Sequence, residues 1–227
     1  MQEIHAMLLT EDILSVNMLL PGHGTHVSAM LPIGWPEWSE AVLDEARQLK
    51  QHCDLVFLVG HSLGGAICLH VSAHEEVAGV VAMCAPIYMP FWMEPAVRFA
   101  RLFTPMLPSL REDVHDVTAR RRYARDAHRW TVLAPVHSML RFLPTLRSEL
   151  PRITVPALIM VALHDHVVPA RDGRVIYRLL GSREKYLVTF HRSYHVIMKD
   201  YERADVCAKT LAFIRHYAQC AVQGEKL

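Results

Sequence analysis

No sign of charge dominates this chain. Its 227 residues carry 24 Lys and Arg against 23 Asp and Glu, a formal net charge of +1, so neither a nucleic acid nor an acidic partner is expected. The one local excess, Arg120, Arg121 and Arg122 with Arg125 and Arg129, is interleaved with Asp116 and Asp126 and reads as a solvated helix face. Long apolar runs are also missing. The best stretch, residues 77–93, is interrupted by Gly79, Pro86 and Pro90, so no transmembrane segment is expected. The first residues lack the basic start and cleavage site of a signal peptide. The five cysteines, at 53, 68, 84, 207 and 220, form no C-x-x-C pair and sit mostly in apolar segments. They read as buried free thiols of a reducing, cytoplasmic compartment, and none sits where a nucleophile would. Fifteen histidines are present, but no H-E-x-x-H. The best metal candidate, His164-Asp165-His166, sends neighbouring side chains apart, so no metal is expected.

What is present is one sharp local motif. The apolar run over residues 54–59 leads into Gly60-His61-Ser62-Leu63-Gly64-Gly65, and a helix-like segment follows. Strand, turn and helix in that order make this a nucleophile elbow. Its serine sits in a strained turn, and glycines on either side let neighbouring backbone pass close enough to leave the hydroxyl exposed. The first amides of the helix then point to where an acyl oxyanion would form.

A serine hydroxyl is a weak nucleophile at neutral pH, so a base and a group to orient it must follow. The apolar run 157–163 ends in His164-Asp165-His166-Val167-Val168-Pro169, which places Asp165 just past a buried strand. Open α/β sheets put their chemistry at that end of their strands. The β-rich stretch 185–190 leads into His191-Arg192-Ser193-Tyr194-His195. His195, further into the loop than His191, is the preferred base. Ser62, Asp165 and His195 thus stand in the order nucleophile, acid, histidine.

Strand-like and helix-like segments alternate along the chain, which predicts one α/β domain over residues 1–227 with a mostly parallel sheet flanked by helices. Strands are expected at about 13–20, 54–60, 77–83 and 156–163, and an amphipathic helix at 38–52 turns Ala41, Val42, Ala46 and Leu49 inward. Periodicity breaks over about 90–150, where prolines at 95, 105, 108, 135 and 144 separate short segments rich in Met, Phe and Leu. That connection is long for its position and reads as a helical cap insertion. Its apolar residues, such as Phe91, Phe99, Phe103 and Met106, suit an acyl pocket.

The chain resembles the α/β-hydrolase superfamily, and within it small bacterial carboxylesterases and monoacylglycerol lipase-like serine hydrolases. Four places carry the resemblance: Leu20-Pro21-Gly22-His23-Gly24, Gly60 to Gly65, His164 to Pro169, and Ser193-Tyr194-His195-Val196-Ile197. It implies Ser62, Asp165 and His195 as catalytic residues, the backbone N–H of Leu63 as an oxyanion donor, and no cofactor. The implied substrate is a short or medium-chain acyl ester, monoacylglycerols included. Thioester hydrolysis, other acyl transfer and a non-catalytic or inactive fold remain alternatives. Two departures stand out: Tyr194 occupies a position that is usually glycine, and nothing before Pro21 matches the strand whose His-Gly loop gives a second oxyanion donor. The resemblance therefore implies an N-terminally truncated fold in which residues 13–20 either pair directly with the elbow strand or leave a gap beside it.

Overall fold

Four apolar segments pair into one parallel sheet in the order β1-β2-β5-β6, where β1 is Phe57–His61, β2 Gly79–Met83, β5 Ala157–Ala162 and β6 Lys185–Phe190. This computed structural model describes residues 1–24, 26–108, 113–123 and 130–223. The two central strands are buried along their whole length, as expected when helices cover both faces of a parallel sheet. Alternate residues then split between two cores. Val80, Ala82, Ile159 and Val161 face α2 (Trp35–Lys50), α3 (Leu63–Ser72) and α7 (Ala170–Leu179). Val81, Met83, Leu158 and Met160 face α1 (Gln2–Thr10) and α8 (Arg203–Val222). Gly173 lets α7 lie close on β5, since a Cβ there would stand 2.1 Å from Val161 Cγ1.

The long connection between β2 and β5 divides into two parts. Its first part holds α4 (Met93–Ala100), the antiparallel pair β3 (Met106–Pro108) and β4 (Trp130–Val132), and α5 (Val117–Tyr123). No residue of α4 is buried, and Phe91, Phe99, Leu102 and Phe103 lie mostly in solvent. The second part is α6 (Leu133–Glu149), which buries Leu140, Leu143 and Leu146 and packs against α2 and α3. The β3–β4 pair was not expected, because three-residue strands carry no readable alternation.

Residues 13–20, expected as a strand, pair with no strand among the described residues. A cavity of about 420 Å³ lies between them and β1, walled by Ile13, Met18 and Leu20 on one side and Leu55, Phe57 and Val59 on the other, and it reaches Ser62. Ser62 N donates to Met83 O and Val56 O accepts from Ala78 N, so the even-numbered positions of β1 turn their peptide groups toward β2. Those of Phe57, Val59 and His61 therefore face the opposite way, into the cavity. The gap, rather than direct pairing, is what the structure has. A strand forms only where a partner edge lies within hydrogen-bonding reach, and for residues 13–20 none does.

Candidate active site

Ser62 links β1 to α3 with φ 53° and ψ −121°, a left-handed conformation that costs a non-glycine residue about 1–3 kcal/mol. Two backbone hydrogen bonds hold it there. Ser62 N donates to Met83 O at 2.8 Å, which carries the β1–β2 ladder up to the serine itself, and Ser62 O accepts the first helical bond from Ala66 N at 3.1 Å. Gly60 permits the turn, since a Cβ on it would stand 2.3 Å from Gly64 O. Leu63 opens α3, so its N–H belongs to the first helical turn, where no intrahelical acceptor is available.

Asp165 follows β5 and His195 lies in the loop after β6. The structure brings both to Ser62: His195 Nε2 is 3.0 Å from Ser62 Oγ, and His195 Nδ1 is 2.7 Å from Asp165 Oδ2. The side chains of Asp165 and His195 are 1% and 9% exposed. Val167 N and Val168 N donate to Asp165 Oδ1 at 2.8 and 2.7 Å, which leaves the other oxygen directed at the imidazole. His191, the rival base, is exposed and held through its backbone N–H by Glu202. The His164-Asp165-His166 side chains diverge: His164 is exposed, Asp165 meets His195 and His166 meets Asp113.

Four further residues hold this line in place: His61, which the sequence offers for packing or hydrogen bonding of the elbow turn, and three acids that sequence reasoning missed. His61 Nε2–H donates to His195 O at 2.9 Å. Burial, and next the adjacent His195 imidazole, push the His61 pKa down to about 3, so it is neutral at working pH. Asp113 Oδ2 accepts from His166 N and His195 N at 2.9 and 3.2 Å, which ties the Asp165 and His195 loops together. Asp200, fully buried, accepts from the backbone N–H groups of His115, Asp116, Tyr194 and Tyr201. Glu202 binds the N–H groups of His191 and Arg192 and the Ser193 hydroxyl. His61 carried the one available signal, its place inside the elbow; the three acids stand in no local motif.

Cysteine offers no competing nucleophile. All five are free; burial pushes the Cys68 thiol up to about 12 and that of Cys84 well above its usual value, the latter helped by the Asp165 charge. The ligand atoms of His61, Cys84 and His195 lie within 4.8 Å of one another, but both imidazoles are already engaged in the hydrogen bonds just described.

With that geometry in hand, the profile of the family described as serine aminopeptidase, S33, matches residues 1–202. The chain belongs to that family, within the α/β-hydrolase superfamily. This hydrolase is 29% identical over 200 residues to a thermostable monoacylglycerol lipase of Bacillus sp. strain H-257, covering 88% of this chain and 78% of that protein. It is 23% identical over 186 residues to a carboxylesterase of Bacillus subtilis strain 168, covering 80% and 73%. It is also similar in structure to a chain reported under the metagenome-derived lipolytic enzymes LipS and LipT, with TM-score 0.86, 27% identity and coverage of 95% and 87%. The monoacylglycerol lipase of Paleococcus ferrophilus shares the fold at TM-score 0.72, with 21% identity and coverage of 82% and 76%. No helix among the described residues is long and apolar enough to cross a membrane.

Proposed function

We propose that this hydrolase cleaves short or medium-chain acyl esters, monoacylglycerols among them, through an acyl-serine intermediate. The observation that carries the reading is the continuous line Ser62 Oγ, His195 Nε2, His195 Nδ1, Asp165 Oδ2. Ser62 Oγ attacks the ester carbonyl while His195 Nε2 takes its proton, and Asp165 holds the tautomer and favours the imidazolium that forms. His195 returns the proton to the leaving alcohol. A water activated by the same nitrogen then releases the acid and regenerates the serine, a cycle that needs no cofactor or metal. The N–H of Leu63 stabilises the oxyanion. A second donor such as the resemblance assigns to the His-Gly loop has no counterpart before Pro21.

The first part of the β2–β5 connection acts as the lid in this reading, with α6 as its base. Two features support it. Asp113, within that connection, touches the His195 loop directly, and α4 presents its apolar side chains outward rather than to the core. None of Phe91, Phe99, Phe103 or Met106 lines the cavity at Ser62, so any contact with an acyl chain requires the lid to move.

A fluorophosphonate probe and a short nitrophenyl ester test the mechanism. The parent is expected to be labelled at Ser62, and Ser62→Ala is expected to abolish labelling and lower kcat by on the order of 10³-fold or more. Equal turnover by Ser62→Ala, or labelling elsewhere, refutes it.

A further inference from the structure

At the end of α3 remote from Ser62, two imidazoles and a carboxylate meet outside the catalytic line. His70 lies in the last turn of α3, and His74 follows it four residues on, so both project to the same side. Glu149 closes α6; its Oε2 is 2.7 Å from His70 Nδ1 and its Oε1 is 2.9 Å from His74 Nε2. One ligand-capable atom from each of the three residues lies within 4.8 Å of the others. The His70 ring is fixed by edge contacts with Trp35 and Phe142, at centroid distances of 5.5 and 4.9 Å.

Charge makes this cluster more than a hydrogen-bonded clamp. Glu149 is only 7% exposed, and among the described residues its ion-pair partners are the two imidazoles. Among the described residues the buried carboxylate meets these two imidazoles and no Lys or Arg, and burying a charge carries a desolvation penalty. A positive ion at the centre of the three ligand atoms removes that penalty.

We propose that His70, His74 and Glu149 bind a single zinc ion. Two imidazole nitrogens and a carboxylate oxygen are a donor set that suits zinc rather than calcium or magnesium, which take oxygen ligands. Tetrahedral zinc with bonds of about 2.0–2.1 Å spaces its ligands roughly 3.3 Å apart, so the present spacing requires small shifts of side chains only. Each imidazole coordinates in its neutral form, and a proton held on either ligand nitrogen is displaced when the ion binds. His70 Nδ1 and His74 Nε2 present lone pairs once the proton of each neutral ring moves to its other nitrogen. The His74 side chain is 37% exposed, which leaves the solvent side open for a water as fourth ligand. The ion joins the helix that follows Ser62 to α6, so its role is to brace that helix and not to enter the reaction.

Chelator-stripped full-length protein, titrated with ZnCl₂ against a chromophoric competitor, tests the site. One equivalent of zinc is expected to bind and to raise Tm. His74→Ala and Glu149→Gln are each expected to weaken binding by at least about 100-fold, since even the loss of a group that merely supports a ligand costs 10- to 100-fold. CoCl₂ in place of zinc is expected to give visible d–d bands without a near-ultraviolet thiolate band. His74 is partly exposed, so His74→Ala should fold, as circular dichroism can verify. The proposal is overturned if the parent shows no saturable binding, if both variants bind as the parent does, or if a thiolate band places the ion at Cys84.

Discussion

His61 shows how one side chain inside the elbow couples stability to pH. A free imidazole titrates near 6.5, whereas His61 in the folded chain holds out to about 3 because it is buried beside a second imidazole. Between those values the unfolded chain binds a proton that the folded chain refuses. Its contribution is therefore fully present above pH 6.5 and is lost as pH falls toward 3, at no more than about 1.4 kcal/mol per pH unit. His61→Gln keeps a donor for His195 O but cannot titrate. Urea unfolding at pH 7 and pH 5 should show the parent losing up to roughly 2 kcal/mol more than this variant, because the other histidines titrate in both. Equal losses would mean that His61 is not held neutral by the fold.

The loop that carries His195 contains little regular structure, only the 3₁₀ turn Ile197–Lys199, and depends instead on carboxylates as acceptors. Asp200 alone serves four backbone N–H groups, two from the residue 115–116 segment and two from its own loop. Asp200→Ala removes the shared acceptor of these donors, Asp200 itself being fully buried, at a cost of about 3 kcal/mol. We expect a matching fall in the urea midpoint. Esterase kcat should fall more than KM rises, since the base loses its position and the substrate pocket does not. A variant that unfolds like the parent, or that loses only KM, would show that Asp200 does not organise the loop.

At the scale of the whole molecule, the sheet is asymmetric. β2 and β5 are paired on both sides, whereas β1 and β6 are edges, and β1, which delivers Ser62, has the cavity along its unpaired side. The amides of Leu58 and Gly60 point to β2, and those of Phe57 and Val59 point into the cavity. Hydrogen exchange should therefore be faster at Phe57 and Val59 than at Leu58 and Gly60, on the order of 10²-fold, under conditions where local opening governs exchange. Uniform protection along β1 would mean that residues 13–20 close on the strand in solution.

Much of this fold and site was legible because its signals are local. Residues 55–59 and 157–162 are continuous apolar runs, as strands packed between two helix layers tend to be, and Gly60 marks a turn that only a residue without a Cβ allows, whereas Gly64 has open space around it. The chain order of Ser62, Asp165 and His195 followed from the same reading, because each sits at the end of a strand that could be located by its own composition. What surrounds them was not legible. Asp113 is 82 residues from His195, Glu149 is 79 from His70, and nothing in either stretch of sequence announces the meeting. The sequence also determined that residues 13–20 have strand-like composition, but whether they are a strand depends on a neighbouring edge. Likewise, apolar residues over 90–150 indicate burial or display equally well. Only the tertiary structure decided that α6 turns its leucines into the core while α4 shows its phenylalanines to solvent, because an apolar side chain is stabilised by whichever surface is brought against it.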